Sequence, residues 1–316
     1  MVTWWFVGLA FIGAICRALG AALQERDAVR APGGTVARLG LLLHLARRPR
    51  WLAGIAVAGA GMALHLLALG GAPLAVIQPI GVSGVVFAVV FAALFNRRRV
   101  SGRELAASAT VLVGLVSFVL VLVDEPVAPT LNPSAAVGVV AGLVVVGLTA
   151  FGLAPRTPPK VRVLILAGPA GMALGVAAGF VRLVGHDLAS GPSALLGWLP
   201  VVALGSLLLC GLLLQNAFRT GRFAAAYAAF LLCDAATGVA VGALLLGEPL
   251  PSGLLGQVGA AAAAVCAIAG TVALAAVRHD AESTGPPTVA RDHETPIPER
   301  GNDSGAYTPI PDDARE

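Results

Sequence analysis

Residues Ala68 to Gly102 read ALGGAPLAVIQPIGVSGVVFAVVFAALFNRRRVSG, and residues Ala217 to Gly253 read AFRTGRFAAAYAAFLLCDAATGVAVGALLLGEPLPSG. Each stretch holds the end of one apolar run, a tight turn, a second run rich in small residues, and a polar turn closing on Ser-Gly. Their offset is about 150 residues. An apolar run of about 20 residues crosses a bilayer as a helix. Neither run alternates apolar and polar residues as a lipid-facing barrel strand does. In lipid the backbone must satisfy its own hydrogen bonds, which a helix achieves within one segment.

Working outward from these two stretches, nine such runs are read: Thr3–Leu23, Trp51–Leu69, Pro73–Phe95, Leu105–Val123, Ser134–Leu153, Val161–Leu183, Leu195–Leu214, Ala224–Leu246 and Leu254–Val277. The composition agrees. The 316 residues are 57% hydrophobic and 12% charged, with a mean hydropathy of +0.86. A soluble domain carries about 25% charged residues. The sequence therefore predicts an all-α polytopic membrane protein of nine transmembrane helices. The first run has no basic residues before it and is interrupted by Arg17, so it does not read as a cleaved signal peptide. The segment Thr35–Ala46 is apolar but too short to span, and reads as an interfacial helix or a half-crossing.

Charge sets the expected orientation. Basic residues fall on alternate loops: Arg26, Arg30, Arg38, Arg47, Arg48 and Arg50 after the first run, Arg97, Arg98, Arg99 and Arg103 after the third, Arg156, Lys160 and Arg162 after the fifth, and Arg219 and Arg222 after the seventh. The other loops hold Asp124, Glu125, Asp187 and Glu248, with Arg182 at the edge of the sixth run. The positive-inside rule puts the basic loops in the cytoplasm. With nine crossings the N-terminus lies outside and the C-terminus inside, in what reads as a bacterial plasma membrane. Arginines that flank spans serve topogenesis and contact with anionic headgroups, so no nucleic-acid partner is read from them.

From His279 the character changes. Residues 279–316 carry nine acids against three bases and are rich in Pro, Ser and Thr, which predicts a disordered acidic cytoplasmic tail behind a transmembrane domain of residues 1–278. Thr295-Pro296-Ile297-Pro298-Glu299 returns as Thr308-Pro309-Ile310-Pro311-Asp312. Thr295 and Thr308 are candidate phosphorylation sites, where a kinase would add about two negative charges each, or part of a docking segment for a cytoplasmic partner.

The matched stretches make runs 2, 3 and 4 correspond to runs 7, 8 and 9, within halves of about 1–123 and 134–278. Five crossings separate each pair, an odd number, so the repeats are inverted in the membrane. Inverted repeats are a recurring plan of secondary transporters, with the substrate site near the midplane where the halves meet.

At this point a resemblance takes shape. Gly13 with Ala21-Ala22-Leu23-Gln24 closing the first run, Ala75-Val76-Ile77-Gln78-Pro79-Ile80-Gly81 in the third, Leu214-Gln215-Asn216-Ala217 closing the seventh, and Gly247-Glu248-Pro249 after the eighth are its residues. Over Thr3 to Val277 the chain resembles the drug/metabolite transporter (DMT) superfamily, with its two EamA-type halves. Within it the chain is most similar to the nine-span branch that includes NIPA-type magnesium transporters. The resemblance implies alternating access of a small solute, with magnesium as the alternative substrate. A non-transporting membrane regulatory subunit is a second alternative.

Charges inside spans are costly and mark pathways. Asp234 lies near the middle of the eighth run, where an Asp costs about 2.5–3.5 kcal/mol on the insertion scale. It reads as a proton- or cation-coupling charge, or as a structural carboxylate bonded to neighbouring helices. Arg17 is its candidate partner, forming a gate or an anion-substrate site; alternatively its long stem snorkels to the interface. An Arg-paired single carboxylate is a poor start for magnesium, which favours several oxygens. Pro79 lacks an N–H and is expected to kink the third run or to sit near its start, so that Gln78 faces the repeat-equivalent Tyr227. Runs 1, 3, 6 and 8 are expected to line the path. Gln24, Gln215 and Asn216 read as helix caps near the surface or as secondary pathway groups, and His65 as a locally bonded side chain or a pathway group. Gly171, Gly175 and Gly179 recur every fourth residue and read as a close-packing stripe, with Gly168-Pro169 a candidate hinge.

Cys16, Cys210, Cys233 and Cys266 lie within runs and have no metal-ligand spacing. There is no P-loop, no HExxH, no nucleophile elbow and no partner for His186-Asp187, so neither an enzyme nor a cofactor is expected.

Overall fold

A computed structural model describes residues 4–31, 40–69, 74–95, 97, 99–122, 132–188, 191, 195–247 and 253–277. The tail, with Thr295 and Thr308, lies outside the described residues. So do Asp124, Glu125, Glu248 and the side chain of Gln78.

All regular structure among the described residues is helical. The order is α1 (Trp4–Val29), α2 (Gly40–Leu45), α3 (Pro49–Leu69), α4 (Leu74–Val82), α5 (Gly84–Phe95), α6 (Gly102–Leu122), α7 (Pro133–Leu153), α8 (Pro159–Leu188), α9 (Trp198–Phe218), α10 (Phe223–Leu245) and α11 (Leu254–Ala276), with one 3-10 turn at Ala154–Arg156. Eight of these are long and apolar enough to cross a membrane: α1, α3, α6, α7, α8, α9, α10 and α11. The chain is a polytopic membrane protein.

One sequence expectation changes here. The third run is not one helix: it breaks at Ser83 into α4 and α5. Pro79 sits inside α4, four residues before the break. The Gly81-Val82-Ser83-Gly84 sequence offers little resistance to unwinding, and Ser83 turns its hydroxyl back to donate to the Ile80 carbonyl at 2.6 Å. Of the apolar segment Thr35–Ala46, residues 35–39 lie outside the described residues, and the described part forms α2, whose six residues rise about 9 Å. Leu41 and Leu45 are buried, and α2 rests on α9.

Helix ends follow local chemistry. Asn132 caps α7 by accepting from Ala135 N at 3.2 Å, with Pro133 at the first helical position. Ser101 and Glu104 form a reciprocal capping box before α6: Ser101 N donates to Glu104 Oε2 at 3.0 Å, and Glu104 N to Ser101 Oγ at 3.1 Å. In α8 the helix continues through Pro169 without a break for 30 residues, so the candidate hinge is a continuous helix here.

Three glycine-mediated crossings organise the bundle. On α1 and α3 the approach is reciprocal: a Cβ on Gly13 would stand 2.8 Å from the Gly61 carbonyl, and one on Gly61 would stand 2.7 Å from the Gly13 carbonyl. Gly20 and Gly54 repeat the arrangement two turns on. On α6 and α11, Gly114 faces the Ala267 backbone and Gly270 faces Val111. On α8, Gly171, Gly175 and Gly179 lie on one close-approach face. Its partner is α10, where a Cβ on Gly171 would overlap the Phe230 carbonyl and one on Gly179 would overlap Val241. Without a hydrophobic driving force between helices in lipid, such close backbone approach supplies the dispersion contact that holds them.

The packing pattern pairs α1 with α3 and with α4–α5, and likewise α8 with α9 and with α10; α6 lies along α11. The helix ends next to the basic loops gather at one end of the bundle. Arg219, after α9, donates to the Ala31 carbonyl beyond α1, and Arg222, before α10, donates to Ala275 and Val277 at the end of α11. Burial concentrates toward that end. In α10, Phe223 to Phe230 are all buried while none of Cys233 to Ala240 is. In α11, burial begins only at Ala263, and in α6 it ceases after Leu115. The bundle is closed at the basic end and looser toward the other.

Candidate functional site

Arg17 and His65 are placed by the α1–α3 crossing. Each lies four residues after a crossing glycine, Gly13 and Gly61, so the same helical face that brings the backbones together also carries both side chains. They meet at the broken helix. Arg17 Nη2 donates to the Gly81 carbonyl at 3.1 Å, two residues before the break. A Cβ on Gly81 would stand 2.8 Å from His65 Cε1 and 3.0 Å from Arg17 Nη2. A side chain there would have to displace the ends of both. Two polar atoms in this cluster, Arg17 Nε and His65 Nδ1, are buried with no hydrogen-bond partner.

Asp234 approaches from α10. Its backbone is pressed against α8, since a Cβ on Gly171 would stand 2.8 Å from Asp234 N, and one on Gly175 would stand 2.9 Å from Asp234 O. The glycine stripe therefore fixes the height of Asp234 in the bundle. Its side chain is half-buried. Arg17 lies within electrostatic reach of His65, Tyr227 and Asp234, and Asp234 within reach of Cys210 and Cys233. Arg17 and Asp234 nevertheless form no direct ion pair, because the guanidinium turns to Gly81. The expected pairing is thus replaced by a separated pair of opposite charges, Arg17 on α1 and Asp234 on α10.

Tyr227 is buried. A Cβ on Gly84 would stand 3.4 Å from its hydroxyl oxygen and 3.7 Å from the Ala14 carbonyl, so the phenol points to where α5 begins beside α1. Its ring belongs to a ladder that runs from the basic end inward: Phe218 to Phe223 at 5.3 Å between centroids, Phe223 to Tyr227 at 5.7 Å and Tyr227 to Phe230 at 6.3 Å.

Gln24 and Gln215 are not surface caps. They are 7% and 2% exposed, and Gln215 Nε2 donates to Gln24 Oε1 at 2.8 Å. Helix α1 runs five residues past Gln24, to Val29, which is why this residue lies inside the bundle. Asn216 turns back on its own helix, donating to the Leu212 carbonyl at 2.7 Å. Pro79 lies in α4 beside the cluster, whereas the side chain of its neighbour Gln78 is not among the described ones. Among the described residues no group of three His, Cys, Asp or Glu side chains is placed to hold a metal.

The cluster thus draws on α1, α3, α4 and α10, with α8 behind α10. Helix α3 is an addition to the expected lining. His65 was identifiable in the sequence through its register with Gly61, matching that of Arg17 with Gly13. The Gly81 carbonyl left only the Gly-Val-Ser-Gly signal after Pro79.

No family model matches the chain, and no solved structure matches it. The chain is similar to an uncharacterized protein of Corynebacterium glutamicum, 26% identical over 253 residues, covering 76% of this chain and 83% of that one.

Proposed function

We propose that this protein is a secondary transporter of the drug/metabolite type. It moves a small organic solute across a bacterial plasma membrane by alternating access. The observation that carries this reading is that Arg17, an intramembrane guanidinium, donates to the Gly81 carbonyl of a helix broken in mid-span, while the opposite charge of Asp234 on a separate transmembrane helix lies within its electrostatic reach without a direct ion pair to it. Intramembrane ionisable groups mark pathways, and discontinuous helices frame substrate sites in many secondary transporters.

Two further features support it. The broken α4–α5 counts as a ninth crossing, and the contacts of α1, α3, α4–α5 and α6 are mirrored by those of α8, α9, α10 and α11, leaving α7 as the odd linker. An odd linker inverts the second half against the first, as the sequence repeat requires. The basic end is cytoplasmic by the positive-inside rule, so the uneven burial describes a conformation closed to the cytoplasm. Asp234 acts as the coupling charge. With Arg17 within its electrostatic reach and no second carboxylate in the cluster among the described residues, an organic solute fits better than magnesium, which takes several oxygen ligands.

The test compares extracellular and intracellular metabolite levels in bacteria carrying the native chain, Asp234→Asn, or an empty vector, at matched membrane abundance. At least one solute is expected to redistribute several-fold with the native chain only. Equal profiles in all three would sink the proposal. Growth rescue of a magnesium-uptake-deficient host at limiting magnesium would replace the organic solute with the cation.

A further inference from the structure

Arg17 and His65 are an odd pair to find around one backbone carbonyl. Burying a polar nitrogen without a hydrogen-bond partner is costly, and this cluster leaves two in that condition: Arg17 Nε, a donor, and His65 Nδ1, whose role follows the tautomer. His65 is only 6% exposed. Three elements meet there: α1 through Arg17, α3 through His65, and the α4 end through Gly81. The carbonyl of Gly81 answers one Arg17 nitrogen and leaves the rest of the fork unused.

We propose that Arg17 and His65 form an anion subsite that takes a carboxylate group of the solute at the break between α4 and α5. This rests on the transport reading and names the chemistry of what is carried. A carboxylate offers two oxygens in the fork geometry that a guanidinium matches. One goes to Arg17, in place of or beside the Gly81 carbonyl, and the other to His65 in its Nδ1–H tautomer. The charge balance selects a monoanion. One guanidinium and one neutral imidazole neutralise a single negative charge, and Asp234 lies within electrostatic reach of the guanidinium. A dianionic phosphate would leave excess negative charge facing that carboxylate. Gly81 completes the cradle, because a Cβ there would press on both His65 and Arg17.

Full-length protein in lipid nanodiscs, with histidines labelled with 15N, would be titrated with acetate, phosphate and sulfate against a chloride background. The His65 imidazole signal is identified by its loss in His65→Gln. Acetate is expected to shift it saturably, with a Kd on the order of millimolar for so small a probe. Arg17→Gln is expected to abolish that shift. Gly81→Ala, a variant that keeps every polar group, is expected to weaken acetate binding more than tenfold. No shift with acetate, a shift with phosphate or sulfate alone, or an acetate shift unchanged in both variants would overturn the subsite. Because binding is read without transport, this outcome is separable from the metabolite comparison: equal metabolite profiles leave an acetate shift standing, and a silent His65 leaves solute redistribution standing.

Discussion

Gln215 Nε2 donates to Gln24 Oε1 at 2.8 Å, joining helices whose residues are 191 positions apart. The bond ties α1 to α9 at the basic end. Gln24 lies seven residues, about 10 Å of helix, from Arg17.

Breaking this tie should loosen the closed end. Gln215→Ala removes a bond with a net contribution of about 1 kcal/mol and strands the Gln24 amide, for a total on the order of 2 kcal/mol. An introduced cysteine can report the change. Gly238 is suited to it, since a Cβ there meets nothing within 4 Å. With the four native cysteines replaced, Gly238→Cys is expected to react faster with an impermeant maleimide from the basic-loop face once Gln215→Ala is added, by at least about fivefold. Unchanged rates in inside-out and right-side-out vesicles would remove Gln24 and Gln215 from the closure.

The glycine stripe makes a sharper prediction about stability. Gly171→Ala puts a methyl onto the Phe230 carbonyl, with backbone and not a flexible side chain in the way. Overpacking of this kind costs about 1–3 kcal/mol. Gly138→Ala and Gly142→Ala meet nothing within 4 Å and serve as controls. Heating detergent-extracted protein and following the monodisperse fraction should show Gly171→Ala failing several degrees earlier, with both controls at the native value.

Gly81→Ala should behave differently from Gly171→Ala. Its new methyl meets the ends of two side chains, His65 and Arg17, which can move aside. Folded yield is expected near the native level, while solute redistribution falls about tenfold or more as the charged cluster shifts. A variant with native redistribution would place the break outside the pathway.

The capping box at the start of α6 offers a control far from the charged cluster. Ser101→Ala removes the acceptor for Glu104 N and uncouples Glu104 from Ser101 N. The expected loss is about 0.5–2 kcal/mol of stability with transport intact, read as an earlier melting midpoint and an unchanged metabolite profile.

The helices themselves were legible because hydropathy over 20 residues is a strong signal. The expected Leu254–Val277 and the observed α11 differ by one residue, and the expected Trp51–Leu69 and the observed α3 by two. The break at Ser83 was hidden because small residues such as glycine are frequent inside membrane helices, so Gly-Val-Ser-Gly does not interrupt the hydropathy of the run. Gln24 and Gln215 were misplaced because polar residues near the end of an apolar run look like its boundary, while α1 in fact continues to Val29. The Gly171 stripe disclosed a packing face but not its partner, since a four-residue spacing fixes direction within one helix and says nothing about the facing one. Arg17 and Asp234 stood out singly as costly charges. That Arg17 turns to the Gly81 carbonyl and not to Asp234 is tertiary information that no spacing along the chain encodes.

Arg17 also imposes an order on biogenesis. Its hydrogen-bond acceptor, Gly81, lies 64 residues further along the chain. At a synthesis rate of about 5–20 residues per second, roughly 3–13 s separate their emergence from the ribosome. During that interval α1 has to be retained at the translocon or in the bilayer with the guanidinium lacking its hydrogen-bond acceptor, and His65 on α3 reaches it before the acceptor does. The apolar length of α1 on either side of Arg17 is what makes this waiting state tolerable, so shortening that helix should reduce membrane integration even where the finished bundle would have accommodated the change.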